Sequence, residues 1–229
     1  MSRNFLDAYK INLWKGRLEQ NGNVVRGIEE LFAKYRPDGT LLFGLVNVDA
    51  VSPEGENLLP LCFIKGEVVC VLICLVDSET GKKYLVLVRQ RRVCDGSLTF
   101  EHPAGMLDDE PDPYVVAVRE VREETGIEID RSRLVHLNPG RAFFPTTATS
   151  DEAMYLFYTE LVLSPPEIRS LHLQHRGEAS ENEKILTYVI PFEEGYKLIT
   201  NTNGLLHCFM YLADTEDWEL LKKLKYPGV

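Results

Sequence analysis

A chain of 229 residues, 45% hydrophobic and 26% charged, is long enough to bury a substantial core, which excludes a disordered or low-complexity protein and fits one medium domain with or without a smaller companion. Its formal charge of −10 excludes a broad phosphate-backbone surface, because nucleic-acid binders carry a basic stripe. A phosphate-bearing ligand must therefore meet cations gathered locally, as metal ions or a few arginines.

The N-terminus, MSRNFLDAYKINLWKG, lacks the apolar core of a signal peptide and the Arg/Ser-rich character of a transit peptide. The next elements form a mixed segment: a helix-like GIEELFAKY over 27–35, a turn at RPDGT, a strand at LLFGLVNVDA, and a break at Pro53–Gly55. This segment is too small for an independent core, so residues 1–62 read as a β-rich arm that packs on the main domain or on another subunit. The main domain is expected over 63–229.

From Val68, VVCVLICLV is continuous, β-branched and short, which predicts a strand covered on both faces. DSETGKK turns the chain, YLVLVRQ returns as a hairpin partner, and LTFEHPAG supplies a short strand ending at Pro103. Asp112 and Pro113 then open a helix, Asp as the cap and Pro at the first helical position. It runs to Thr125, and Gly126 closes it. Tyr114, Ala117, Val118 and Val121 recur at helical spacing as its buried face. AMYLFYTELVL and ILTYVIPF predict two later strands, and LLHCFMYLADTEDWELLKKL a terminal helix. Strands on both sides of one acidic helix, with another helix at the end, define an α/β/α sandwich around a mixed sheet.

The five cysteines, Cys62, Cys70, Cys74, Cys94 and Cys208, are odd in number, have no CxxC spacing and mostly sit in apolar runs, which predicts thiols in a reducing compartment. No apolar run is long enough to span a bilayer. The expectation is a soluble, cytoplasmic protein with neither membrane nor nucleic acid as partner.

In the helix, Glu120, Glu123 and Glu124 share one face. Like charges at that spacing repel by a few tenths of a kcal/mol per pair, so roughly that much must be offset. Arg119, four residues before Glu123, offsets part of it; a divalent cation would reverse it, and carboxylate oxygens suit hard ions such as Mg²⁺ or Mn²⁺. The cluster stands inside a longer spacing: Gly105, then position 111, then Arg119, Glu120, Val121, Glu123, Glu124, Gly126 and Ile127.

That pattern resembles the Nudix box, G-x5-E-x7-R-E-U-x-E-E-x-G-U, at every specified position except the first Glu, where Pro111 stands. Position 111 lies one step outside the helix cap, so the family's Glu there reads as a loop support, with Asp109 or Glu110 as neighbouring substitutes. The resemblance implies a Nudix hydrolase that splits a nucleoside diphosphate linked to another group, with Mg²⁺ or Mn²⁺ as cofactor. Carried over by position, Glu120 and Glu124 are metal ligands, with the Ala104 carbonyl as an added one. Glu123 is a further ligand or a water-orienting base, and Gly105 lets the chain turn beside the phosphates.

The surroundings, from about Val68 to Phe192, are similar to the ADP-sugar branch of that family. YLVLVRQRR, EHPAGMLDDE, FFPTTATSDEAMYLFY and GEASENEKILTYVIPFEE carry the likeness. By that resemblance Glu181 is the catalytic base, with Glu123 its competitor, and Glu183 is a metal contact. Arg89 and Arg92 are candidates for bidentate contact with the diphosphate. Glu152, beside Asp151, is a candidate substrate contact, and Phe143, Phe144 and Tyr155 are candidates for stacking. His102 reads as structural. The implied reaction is hydrolysis of ADP-ribose or ADP-glucose to AMP and a sugar phosphate, by a homodimer formed through the N-terminal arm. The alternatives are a UDP-sugar diphosphatase of the same fold and a nucleotide-binding protein of that fold with little activity.

Overall fold

The structure, a computed structural model, describes residues 5–177 and 185–224. These divide into two compact units, 5–68 with 106–111 and 142–154, and 69–105 with 112–141, 155–177 and 185–224.

The first unit joins a helix, α1 (Tyr9–Gln20), to a three-stranded sheet of β1 (Val24–Tyr35), β2 (Leu41–Val51) and β3 (Leu61–Ile64), in the order β1-β2-β3. On α1, Ile11 and Trp14 are spaced by three and both are buried. They meet Val46, Val48 and Ala50, which alternate along β2, together with Phe5, Leu41 and Ile64. The N-terminal segment thus has a hydrophobic core of its own, contrary to the expectation from its size; the later segments 106–111 and 142–154 complete the unit.

The expected helix over 27–35 is a strand. Ile28, Leu31, Phe32 and Tyr35 have helical spacing, yet register shifts between Val25 and Gly27, Glu30 and Phe32, and Lys34 and Tyr35 interrupt the pairing of β1 with β2. Each bulge breaks the two-residue alternation, so the partly buried positions fall at Val25, Ile28, Ala33 and Tyr35. Leu31 and Phe32 are exposed.

The second unit is built on an eight-stranded sheet in the order β10-β11-β5-β4-β9-β8. In chain order these strands are β4 (Glu67–Asp77), β5 (Lys83–Arg91), β6 (Leu98–Glu101), β7 (Ala104–Met106), β8 (Val135–His136), β9 (Ala153–Leu163), β10 (His175–Arg176) and β11 (Ile185–Pro191). β6 also pairs with β5, and β7 with β4. The helices are α2 (Pro113–Thr125), α3 (Pro165–Ser170), α4 (Phe192–Leu198), α5 (Thr202–Asp214) and α6 (Trp218–Lys223). The predicted terminal helix is therefore two, because the chain turns at Glu216, a non-glycine residue at φ 54°.

Directly paired residues share a sheet face, and this settles the layering. Leu85 and Leu87 of β5 pack with Leu72 and Cys74 against Phe192 and Tyr196 of α4 and Cys208, Tyr211 and Leu212 of α5. Val86 and Val88 point the other way; Val88 pairs with Thr187, whose hydroxyl donates to the Glu124 carbonyl at 3.2 Å. The acidic helix α2 therefore lies on one face of the sheet, and α4 and α5 on the other.

Candidate active site

α2 runs over the residues that its cap chemistry predicts. The Asp112 carboxylate accepts from Tyr114 N at 3.0 Å, Pro113 opens the first turn, and Gly126 takes φ 72° while its N–H donates to the Arg122 carbonyl. A Cβ at 126 would stand 2.6 Å from the Arg176 guanidinium carbon, so that flexible side chain would have to shift. Three of the last-turn carbonyls are engaged: Gly126 N donates to Arg122 (2.8 Å), Gly177 N to Glu123 (3.4 Å) and Thr187 Oγ1 to Glu124. A helix end leaves such carbonyls to be satisfied from outside, so β10 and β11 hold the turn that bears Glu123 and Glu124.

The buried face of α2 differs slightly from expectation. Ala117 and Val121 are buried as expected, whereas Tyr114 and Val118 are half-buried, and Val116, Thr125 and Glu124 are buried in addition, Glu124 at 3% exposure. Its Oε2 accepts the Ala104 backbone N–H at 3.1 Å, which ties the helix to β7. Glu120, one turn earlier, packs on the same strand. A Cβ at Gly105 would come within 2.6 Å of Glu120 Cγ and closer still to its carboxyl, so glycine at 105 makes the room in which this carboxylate sits. Glu123 is more open and lies between Arg119 (3.9 Å) and Arg122 (3.4 Å); Arg119 also reaches Glu120 at 3.0 Å. These partly exposed pairs moderate the repulsion by well under about 1 kcal/mol each.

Ala104, Gly105, Glu120 and Glu124 are thus brought together. Two carboxylates on one helix face, with a bare glycine cradle beneath them, are an oxygen-rich donor set fitted to a hard divalent cation. Glu120, Glu124 and the Ala104 carbonyl would hold it. Among the described residues no three acidic, His or Cys side chains are already gathered tightly enough to enclose a metal; the backbone oxygen and the residues of 178–184 are additional to that count. Replacing Gly105 with Ala should displace Glu120 and lower metal-dependent turnover about tenfold, the lower end of what disturbing a ligand's orientation costs. Steady-state kinetics beside a melting curve would check that the fold survives.

Arg92, one residue past β5, is held by Glu101: its Nε and Nη2 donate to the two carboxylate oxygens at 2.9 and 2.8 Å. Arg89 lies apart from the box glutamates. It pairs with Leu186 and Phe100 and stacks on Tyr188, 4.9 Å from the ring centre, on the sheet face opposite α2. Glu152 belongs to the first unit, where it pairs with Lys65 at 2.7 Å; beside it, Asp151 accepts from the Lys65 and Gly66 amides. Burial raises the Asp151 carboxyl, and those two amides pull it back. Phe143 bridges Met154, Phe144 is exposed, and Tyr155 meets the His136 ring edge-on within an aromatic group that includes Tyr114 and Phe157. Glu181 and Glu183 lie outside the described residues.

Sequence spacing did not single out Glu101, which holds Arg92. The alternation in LTFE, directly before His102, is the available signal: Thr99 and Glu101 share a face while Leu98 and Phe100 take the other.

Fold and site together define a hydrolase of the Nudix type. The NUDIX domain family matches residues 66–203, more than half of the chain, and the protein belongs to that family. It is 29% identical to Nudix hydrolase 14, chloroplastic, of Arabidopsis thaliana, over 97% of this chain and 76% of the relative. It is 26% identical to the ADP-ribose pyrophosphatase of Bacillus subtilis, over 55% of this chain and 60% of the relative. Among solved structures, the crystal structure of an ADP compounds hydrolase superposes with a TM-score of 0.56 at 15% identity, covering 86% of this chain and 95% of that one. That likeness is one of fold. Among the described residues no helix is long and apolar enough to cross a membrane.

Proposed function

We propose that the protein hydrolyses the diphosphate of an ADP-sugar, ADP-ribose or ADP-glucose, to AMP and a sugar phosphate, with Mg²⁺ or Mn²⁺. The observation that carries this reading is the seating of Glu120 and Glu124 against the Ala104–Gly105 strand. The sequence likeness to an ADP-ribose pyrophosphatase supports the choice of ADP-sugar. A divalent cation bound there supplies the positive charge that neutralises diphosphate oxygens and makes water a better nucleophile. Arg92 grips the diphosphate as a bidentate donor. Glu181, or Glu123 in its place, takes a proton from water as the water oxygen bonds to phosphorus; the bridging P–O bond breaks, and AMP and the sugar phosphate leave.

Chromatography of nucleotide products from ADP-ribose, ADP-glucose and UDP-glucose tests the reading. AMP should appear from an ADP-sugar with Mg²⁺ and vanish with EDTA. UMP alone would reassign the substrate to a UDP-sugar, and nucleotide binding without turnover would refute the enzymatic reading.

We further infer a homodimer formed through the first unit, in the cytoplasm. Leu31, Phe32, Leu59 and Leu61 are each 46% exposed or more on its strands and adjoining loop, and large apolar side chains left open in this way support an interface there. The cysteines, all unpaired, suit a reducing compartment. Light scattering at micromolar concentration should give twice the chain mass; a monomer would refute the assembly.

A further inference from the structure

We propose that Glu101 is a positioning residue of the hydrolase site, holding the Arg92 guanidinium in a fixed pose on the sheet face that α2 covers. The inference rests on the reading of Arg92 as a diphosphate contact. Glu101 pairs with Val88, and Val88 pairs with Thr187, so the Glu101 side chain emerges on the face where Thr187 meets α2. It is 13% exposed and its partner Arg92 43%, so the acid is anchored and the base reaches outward. Both carboxylate oxygens are used on Arg92, and the Thr99 hydroxyl donates to Oε1 at 2.5 Å. Thr99 is itself 7% exposed, which makes it a buttress on the strand rather than a surface contact.

A bidentate pair of this kind fixes the plane of the guanidinium as well as its position. An arginine that must grip a diphosphate gains from being held, because the ordering cost of a long side chain is then met before substrate arrives.

The test is calorimetric titration of ADP into the protein with Mg²⁺, for wild type, Glu101→Gln, Arg92→Ala and the double variant. A charge-assisted pair predicts Kd raised about tenfold by either single change, and a double variant no weaker than Arg92→Ala alone. Thr99→Val, which removes only the buttress, should give a smaller rise. In turnover of whichever nucleotide sugar the wild type accepts, the rise should appear in KM far more than in kcat. Unchanged ADP affinity in Glu101→Gln, additive losses in the double variant, or a wild type that binds no ADP would each overturn the proposal. Absence of nucleotide-sugar turnover would instead overturn the substrate reading, and the ADP titration would still decide the role of Glu101.

Discussion

Glu124→Gln should lower metal-dependent turnover about 10³-fold, the upper range for removing one preorganised electrostatic group, while the protein still unfolds cooperatively. The substitution keeps the shape and the acceptor oxygen that receives Ala104 N–H, so the tie between α2 and β7 can persist. What it removes is the negative charge. Glu124 is 3% exposed, and a carboxylate so placed is tolerated only when donors or a cation meet its charge. The neutral amide relieves that burden, so stability should hold or rise while metal affinity falls. Kinetics across a Mg²⁺ titration, with a denaturant melt of each protein, separates the two effects. Activity unchanged at saturating Mg²⁺ would reject Glu124 as a ligand. A collapse of both activity and stability would show instead that the charge serves the fold.

How this site could be read from the sequence, and how much of it could not, follows from the range of the forces involved. The box helix was legible to the residue because its limits are local: Asp112 caps, Pro113 starts, and Gly126 takes φ 72° without the strain a side chain would add. The central strands β4 and β5 were legible because burial on both faces leaves an unbroken apolar run. β1 was not, since bulges against β2 are a property of the pair and disguise its alternation as a helical repeat. Nor was the split of unit boundaries, in which 106–111 and 142–154 join the N-terminal segment; such returns are made by contacts distant in sequence. In the site, local spacing identified Glu120, Glu123 and Glu124 as one face, but only the fold shows Glu124 buried, Arg89 turned to the opposite sheet face and Glu101 gripping Arg92. The motif names candidates, and sheet parity sorts them.

Acid should destabilise this fold steeply between pH 6 and pH 5, through two histidines that the chemistry does not use. His102 and His207 are 2% and 0% exposed, with rings 5.0 Å apart and edge-on. His207 Nε2 donates to the Phe157 carbonyl at 2.8 Å, and His102 Nε2 faces the Gly204 carbonyl at 3.3 Å and the Cys208 thiol at 3.6 Å. A carbonyl only accepts, so each proton sits on Nε2, and each buried Nδ1 lacks a hydrogen-bond partner among the described residues. Protonation would place a donor there with nothing to receive it, in a medium that already disfavours charge. Burial accordingly lowers His102 to about 4, despite the Gly204 carbonyl and the Glu101 charge. It lowers His207 well below its ordinary value, with His102 adding to the effect. Unfolded, both return to about 6.5, so between pH 4 and 6.5 the unfolded chain binds more protons and stability is lost as pH falls. With both rings neutral in the fold, the slope near pH 5.5 should approach two protons, about 2.5 kcal/mol per pH unit. Asp151, raised by its burial, pulls the slope the other way. Urea unfolding at closely spaced pH values measures it directly, and uptake of fewer than one proton on unfolding would show that the pair is already charged, or already solvated, in the folded protein.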